Sequence, residues 1–267
     1  MTTWKIGTVG FGYKQWLGTF YPERMQSSRF LPYYAEWFDS AEIDSTFYGT
    51  PKLTSVQKWR RDVPPNFTFC PKTPRSITHD TPLEHAVAPM TEFVERVQLL
   101  GNKLGAILIQ YPATLTVSSL MPLDRFLAQL PRDVRYAIEF RHPSWERNEV
   151  DAMLRAHNVA RVVADYGQAN EHRMTPFVVR NSADFLYLRF IGWHGAFNTK
   201  NMVKLNQRPR LERWQTVLQP HLKQVKTVYA YMNNDYSGYS IATANLLKQL
   251  LGLPNGHPKI FKQQSLF

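Results

Sequence analysis

Charged residues that could do acid–base chemistry follow the ends of several short β-rich runs. Asp44 and Glu139 are carboxylates, and Lys72, Arg141 and Arg189 are cations at corresponding positions of other runs. Carboxylates near Lys or Arg in a desolvated site have shifted pKa values, which suits them to proton transfer. The same cations could hold a phosphate, a phosphodiester or a sugar acid, because guanidinium groups bind such oxygens in pairs.

The candidate site consists of residues at or just beyond the C-terminal ends of predicted strands. Glu139 is the predicted general acid or base, because it lies one pleat below Arg141 and can meet Lys72 across a barrel. The alternative is a purely structural layer of ion pairs, which is costly unless it is well paired. The predicted catalytic residues are Glu139, Lys72, Asp44 and Asp165, and the predicted ligand-binding residues are Tyr13, Tyr48, His79, Gln110, Arg141, His142, Arg189, Asn233 and Asn234.

A metal centre is the less favoured interpretation of these residues. Carboxylates and histidines are present, but no compact spacing such as His-x-x-x-His occurs. Lys72, Arg141 and Arg189 would also repel a bound cation. We therefore predict an anionic ligand and no cofactor, with a metal as the alternative.

A scaffold that gathers strand ends is required, and the pattern of elements predicts one. Eight β-rich runs alternate with helical patterns, which favours a single α/β domain folded as a (β/α)8 TIM barrel. A doubly wound open sheet is the rival fold, but no glycine-rich phosphate fingerprint follows an early strand. The predicted strands are Lys5–Val9, Ala41–Ser45, Phe67–Pro71, Ala106–Gln110, Tyr136–Phe140, Ala160–Ala164, Phe185–Phe190 and Val228–Met232. The predicted helices are Phe30–Phe38, Thr54–Asp62, Thr91–Asn102, Leu123–Leu130, Glu146–His157, Arg210–Gln224 and Ile241–Leu251, and the sixth connection, Tyr166–Ala183, is predicted to be irregular.

Strand periodicity predicts which side chains point into the barrel. In the second strand, Glu42 and Asp44 share a face opposite Ile43. The third and fifth strands repeat the alternation and place Lys72 and Glu139 on their polar faces. The apolar faces suit the helix layer, so the polar faces are expected inside.

The composition points to a basic protein. Lys and Arg number 32 against 21 Asp and Glu, a net charge of +11, which favours a polyanionic partner with nucleic acid ahead of acidic membrane. The alternative is a basic protein without such a partner. No apolar run is long enough to span a bilayer, so no membrane association is predicted. The single cysteine, Cys70, excludes an intrachain disulfide and favours a reducing compartment, the cytoplasm.

Aromatic residues crowd the loop after the first strand. Tyr13 there, and Tyr48 after the second strand, carry polar tips and are predicted to contact a ligand. Trp16 and Phe20 are at least as well explained by packing of the loop against the barrel.

Longer motifs are arranged in order along the chain. They are Gly7–Tyr13, Trp16–Pro22, Glu42–Tyr48, Lys72, Thr78–His79, Gln110–Pro112, Glu139–Trp145, Tyr187–Arg189 and Tyr229–Asn234. The set resembles the YecE-like proteins, a family of TIM barrels with no established activity. Asp44 stands where Asn is frequent in that family, and Met232 stands where Phe is usual. The resemblance implies a barrel and offers only an analogy to barrels of the endonuclease-IV and xylose-isomerase type.

The chain ends in Gln263-Gln264-Ser265-Leu266-Phe267, after a segment containing Pro and Gly. This ending resembles the peptide by which bacterial replication and repair proteins dock on the sliding clamp. Leu266 and Phe267 would be the apolar anchors and Gln263 the hydrogen-bonding residue. The alternative is that the tail buries both apolar residues on its own barrel. We predict a barrel over residues 1–252 and a linker with a docking tail over 253–267.

These features predict a nucleic-acid transaction protein of repair type. Its barrel would bind a phosphodiester or nucleotide at the C-terminal rim, with hydrolase or lyase chemistry if it is an enzyme, and the tail would recruit it to the clamp. One alternative is a metabolic enzyme acting on a small sugar or sugar phosphate. Another is a nucleic-acid binder without catalysis.

Overall fold

A computed structural model describes residues 2–167 and 177–254 of the protein. Eight parallel strands form a barrel with helices between them, which confirms the predicted fold. The strands are β1 (Thr3–Val9), β2 (Ser40–Ile43), β3 (Thr68–Pro71), β4 (Ala106–Gln110), β5 (Arg135–Glu139), β6 (Ala160–Asp165), β7 (Phe185–Phe190) and β8 (Thr227–Met232). The helices are α1 (Phe30–Tyr34), α2 (Leu53–Arg61), α3 (Arg75–Thr78), α4 (Val87–Gln98), α5 (Leu120–Ala128), α6 (Asn148–Ala156), α7 (Arg208–Leu222) and α8 (Ser240–Leu250).

The barrel is closed most loosely between β3 and β4. The continuous sheet runs in the order β3-β2-β1-β8-β7-β6-β5-β4. Its two ends meet through separate backbone hydrogen bonds, in which Gly105 N donates to Phe69 O at 2.8 Å and Thr73 N donates to Leu108 O at 2.8 Å. These bonds satisfy groups that would otherwise form a free sheet edge.

Aromatic side chains from two adjacent strands fill the barrel interior. Tyr187 on β7 and Tyr229 and Tyr231 on β8 are buried there beside alanine side chains of β4, β5 and β6. The backbone of β1 at Gly7 lies close to the backbone of β2, because a Cβ placed on Gly7 would be 1.9 Å from the Ser40 carbonyl oxygen. The interior is therefore a packed core rather than a channel, as is usual for this fold.

The opposite strand faces pack against the helices, as the alternation predicted. Ile43 and Phe69 belong to a large apolar cluster under α1, α7 and α8, and Ile138 belongs to a second cluster under α4, α5 and α6. Trp16 and Phe20 are buried in the first cluster, so both fix the loop after β1 to the barrel. Among the described residues, no helix has the length and apolar character needed to cross a membrane.

Several helix boundaries differ from the prediction. Helix α4 begins at Val87 rather than Thr91, because Pro89 is tolerated in a first turn that lacks intrahelical donors. Helix α1 ends four residues early, at Tyr34, and the short helix α3 was not predicted. In the predicted irregular sixth connection, the described residues 166–167 and 177–184 contain no helix, and residues 168–176 lie outside the described part.

Candidate functional site

A guanidinium held between two carboxylates lies at the floor of the barrel mouth. Arg189, at the end of β7, donates to both oxygens of Glu42, from Nε to Oε2 at 2.9 Å and from Nη2 to Oε1 at 2.7 Å. Its Nη1 donates to Oε2 of Glu139 on β5. The Tyr187 hydroxyl donates to the Glu42 carboxylate at 2.9 Å. All four side chains are buried, so the network is shielded from solvent.

The two carboxylates have pKa values shifted in opposite directions. Burial raises the pKa of the Glu42 carboxyl, and the pairing with Arg189 only partly opposes that rise. Burial also acts to raise the pKa of Glu139, but Arg141, Arg189 and Lys72 together bring it below its ordinary value. Glu139 is thus held as a carboxylate by cations from three strands or strand ends.

Arg141 lies above this floor and is partly open to solvent. Its Nε is 2.5 Å from Oε1 of Glu139, and its Nη2 donates to Gln110 Oε1 at 3.3 Å. The guanidinium carbon stands 5.1 Å from the centre of the Tyr166 ring. The side chain is 27% exposed, whereas that of Glu139 is 1% exposed. Arg141 therefore has a fixed inner edge and an outer edge that faces the mouth.

A second ion pair stands on the β2–β3 side of the mouth. Lys72 Nζ lies 3.0 Å from Oδ1 of Asp44, and the same ammonium is 3.9 Å from the centre of the Phe47 ring. The Asp44 side chain is 37% exposed, so this carboxylate is more accessible than Glu139. His79 packs against Phe47 with ring centres 5.3 Å apart. Burial, followed by the charges of Arg75 and Lys72, lowers the His79 pKa.

Tyr13 closes the mouth from the loop after β1. Its hydroxyl donates to the Val9 carbonyl oxygen at 2.9 Å. Burial raises the Tyr13 pKa, and the nearby Asp44 and Asp235 raise it further. The phenol is therefore a neutral hydrogen-bonding group at the mouth over the physiological pH range.

Asp165 does not join this group. It ends β6 with its side chain on the outer face, where both oxygens accept from Arg210 Nε at 2.8 Å. Trp214 Nε1 and the Tyr236 hydroxyl also donate to Oδ2, at 2.6 and 2.8 Å. The Gly167 amide donates to Oδ1 at 2.9 Å. Asp165 thus ties β6 to α7, and the inward residue at this level is Tyr166.

Three further predicted site residues shape the loops of the rim. His142 Nδ1 accepts from the Ser144 amide at 3.1 Å, and Asn233 Oδ1 accepts from the Asp235 amide at 3.0 Å. Asn234 Oδ1 accepts from the Ser240 amide at 3.1 Å. Each bond caps a turn that follows a strand. Tyr48 is 86% exposed, and Gln263, Leu266 and Phe267 lie outside the described residues.

The sequence interpretation did not include three residues that this site contains. Glu42 shares a strand face with Asp44, so the alternation already carried the signal for it. Tyr166 follows β6, whose polar residues Arg161 and Asp165 lie on the outer face, so the expectation that polar strand faces point inward selected Asp165 instead. Phe47 precedes the predicted Tyr48, and its contact with Lys72 depends on packing across two loops.

The described residues hold no group of three or more His, Cys, Asp or Glu side chains that could bind a metal ion together. The mouth instead contains carboxylate–cation pairs, amides and phenols. Such groups can bind an anion through the partly exposed cations and can transfer a proton through the accessible carboxylate.

Comparisons with known proteins give a family but no activity. The family model described as "Protein of unknown function DUF72" matches residues 5–265. UPF0759 protein YecE of Escherichia coli strain K12 is 34% identical over 140 residues, which are 51% of this chain. The chain spans about half the length of that relative, 52%. UPF0759 protein YunF of Bacillus subtilis strain 168 is 23% identical over 270 residues, covering 93% of this chain and 94% of its own length.

Two solved structures have the same fold. A DUF72 family protein from Thermotoga maritima superimposes with a TM-score of 0.74 at 27% identity, over 94% of this chain and 99% of its own. A DUF72 family protein from Enterococcus faecalis V583 gives a TM-score of 0.74 at 20% identity, over 95% of this chain and 99% of its own.

Proposed function

We propose, for a chain that belongs to the DUF72 family of proteins of unknown function, that the barrel mouth binds the phosphate of a nucleotide or nucleic acid. Arg141 and Lys72 would contact the phosphate, and Asp44 would be the accessible acid–base group. This is the chemistry of a nucleic-acid transaction protein of repair type. A hydrolase or lyase step on a phosphodiester or sugar phosphate would use the same groups.

The observation that carries this proposal is the setting of Arg141. Its Nε faces Glu139, and its Nη2 bonds to Gln110. The side chain is 27% exposed, so part of its guanidinium is accessible to a ligand in the mouth. A guanidinium already oriented by a buried carboxylate loses little conformational entropy when it binds an anion. Glu139 would thus act mainly by holding Arg141 in place.

The remaining rim groups suit a sugar and base attached to that phosphate. Phe47 and Tyr166 present aromatic rings near the two cations, and Tyr48 is an exposed ring on the loop after β2. Rings of this kind stack on bases or sugars without regard to sequence. Asp44, paired with Lys72 at 3.0 Å, could exchange a proton with a ligand hydroxyl.

The test compares a deoxynucleoside 5′-monophosphate with the same nucleoside by calorimetric titration of the full chain. Arg141→Gln should weaken binding of the monophosphate about tenfold or more, since a charge-assisted hydrogen bond contributes roughly 1.5–3 kcal/mol. Arg132→Gln, a substitution of an exposed arginine outside the site, is the matched control and should leave binding unchanged. Equal affinities for monophosphate and nucleoside would contradict the proposal.

A sugar or sugar-phosphate enzyme is the second candidate. The observation in its favour is charge balance, because Arg189, Arg141 and Lys72 each face a carboxylate. A mouth of this kind also suits a ligand with several hydroxyl groups. Tighter binding of pentose or hexose phosphates than of any nucleotide or oligonucleotide would favour this candidate.

Recruitment to the sliding clamp is a separate part of the proposal. It rests on the sequence Gln263-Gln264-Ser265-Leu266-Phe267. A short peptide that orders on binding should have micromolar affinity, which tethering to DNA would reinforce. Calorimetry with a bacterial clamp should show binding to the full chain that disappears on removing these five residues. Equal binding by both chains, or none by either, would reject recruitment through this segment.

A further inference from the structure

A basic depression lies at the end of the barrel opposite the mouth. Helix α2 ends at Arg61 before β3 begins, and helix α4 ends at Gln98 before β4 begins. The α2–β3 and α4–β4 connections therefore lie at the N-terminal ends of the strands. Between them is a surface depression of about 470 Å³. Its polar lining consists of Gln57, Arg60, Arg61, Asn102 and Lys103.

The positive charge of this depression is not balanced by acidic residues in its lining. Arg60, Arg61 and Lys103 contribute three cations, and none of the described residues lining it is acidic. The mouth is different, because each of its cations faces a carboxylate, whereas of these three only Arg61 does, through Asp62. Helix α2 itself contains no Asp or Glu, and its last turn carries Lys58, Arg60 and Arg61. The depression therefore has a local excess of positive charge, in a chain whose net charge is +11.

Two of the cations are held in place by the fold. The Arg60 guanidinium lies over Gly101, where a Cβ would be 3.4 Å from its central carbon, and its Nη1 donates to the Leu99 carbonyl at 3.3 Å. Lys103 is buried, and its Nζ donates to the Arg60 and Val63 carbonyl oxygens at 2.6 and 2.5 Å. Lys103 thus closes the end of α2 and adds charge beneath the surface, while Arg60 is preorganised above it.

The basic surface continues on the other side of Arg61. A second depression, of about 600 Å³, is lined by Arg29, Lys58 and Arg61 together with Asp62. Asp62 pairs with both Lys58 and Arg61. The Arg61 side chain is 73% exposed and is shared by both depressions. Three cations against one carboxylate give this second depression a positive charge as well, so the basic surface extends across both depressions.

We infer that this basic depression binds the phosphate backbone of a nucleic acid without reading its sequence. The exposed arginines and the Gln57 and Asn102 amides share one surface and are groups that donate to phosphate oxygens, and the sequence has no recognition motif for base edges. The inference goes beyond the function proposed for the mouth and does not depend on it. The surface would retain the protein on a nucleic acid while the mouth, at the other end of the barrel, is free to act.

The test is fluorescence anisotropy of a labelled 20-base-pair duplex titrated with the full chain at several salt concentrations. Arg60→Gln combined with Arg61→Gln should lower affinity at ~0.1 M salt by tenfold or more, because each lost phosphate contact changes the salt slope by about 0.9. Arg125→Gln combined with Arg132→Gln changes the net charge equally at exposed sites on and after α5 and should have a much smaller effect. Gln57→Lys adds a cation to the depression and should strengthen binding several-fold.

Thermal melting of each variant shows whether it remains folded, and Gln57→Lys gives an independent result if the double variant does not. Equal losses in the two double variants, or no effect of Gln57→Lys, would overturn the inference. So would absence of duplex binding by the unaltered chain at low salt. Binding of inorganic tripolyphosphate at the depression without binding of the duplex would assign it to a small polyphosphate instead. Nucleotide binding at the mouth should be unchanged by the double variant, so failure of one site is distinguishable from failure of the other.

Discussion

Two buried ion networks lie at the C-terminal ends of the adjacent strands β6 and β7, and they use the same residue types for different roles. On the outer face of β6, Asp165 receives hydrogen bonds from Arg210, Trp214, Tyr236 and a backbone amide. On the inner face of β7, Arg189 is shared by two carboxylates. Among the described residues, the outer network pairs Asp165 with Arg210 and saturates the carboxylate with hydrogen bonds. The inner network has one more carboxylate than its buried cation can neutralise.

The difference lies in what completes the charge balance. For Glu139 the additional cation is Arg141, which is partly exposed to the mouth. A saturated network has no bonding capacity left for a ligand, whereas one completed by an exposed cation can transmit ligand binding to its interior. We therefore assign the outer network to stability and the inner network to the site.

Removal of the shared cation should have the largest effect. Arg189→Gln leaves Glu42 and Glu139 buried without their common partner, and we expect a loss of about 3–5 kcal/mol in the free energy of unfolding. Burial already raises the folded pKa of Glu42, and loss of Arg189 should raise it further above the unfolded value, so the variant should lose stability as pH rises through that range. Urea unfolding at pH 5 and pH 8 measures this. If Arg189→Gln lowers the free energy of unfolding no more than Arg132→Gln does, the role assigned to the inner network is wrong.

The outer network should affect stability alone. Asp165→Asn removes the charge of a buried carboxylate that accepts from Arg210, Trp214 and Tyr236, and we expect a loss of about 3 kcal/mol with nucleotide affinity at the mouth unchanged. Asp124→Asn, which alters an exposed carboxylate bonded to His157, should cost less than about 1 kcal/mol. Urea unfolding and calorimetry on the same samples provide both readouts. A loss of ligand affinity in folded Asp165→Asn would contradict the division between the networks.

The acid limb of the stability profile should report on Glu139. Its pKa is lowered in the fold, so its contribution is present above the unfolded pKa and is lost as pH falls through the folded value. Glu139→Gln should therefore flatten the decline in stability below the ordinary pKa of 4.5. Urea midpoints between pH 3 and pH 6 test this. An acid limb as steep as that of the unaltered chain would show that other groups determine it.

The smallest effect is expected from His79. Because its pKa is lowered in the fold, the unfolded chain binds the proton more readily, and stability should decline slightly as pH falls below the ordinary value of 6.5. His79→Gln should remove that slight decline, a change of under about 1 kcal/mol between pH 7 and pH 5. The measurement is the difference between variant and unaltered chain in unfolding free energy at the two pH values. A larger decline in the variant would reverse the assigned direction.

Period-two alternation made the barrel and much of its mouth predictable. Ile43, Phe69 and Ile138 face the helices, and their polar neighbours on the same strands face inward. This worked for β2, β3 and β5 because one face of each strand is polar. Strand β6 breaks this pattern, because its polar face, with Arg161 and Asp165, is the one that packs against the helices, so the alternation misplaced Asp165.

The sequence by itself determined the order of the elements, the inward faces of the polar strands and the supply of charged residues at their ends. Only the tertiary structure decided the partners. Arg189 meets Glu42 and Glu139 across the barrel, from strands separated by 147 and 50 residues in the chain. The basic depression likewise joins the end of α2 to the residues that follow α4. Local periodicity describes which way a side chain points, whereas pairing across a closed barrel depends on distances that no single segment contains.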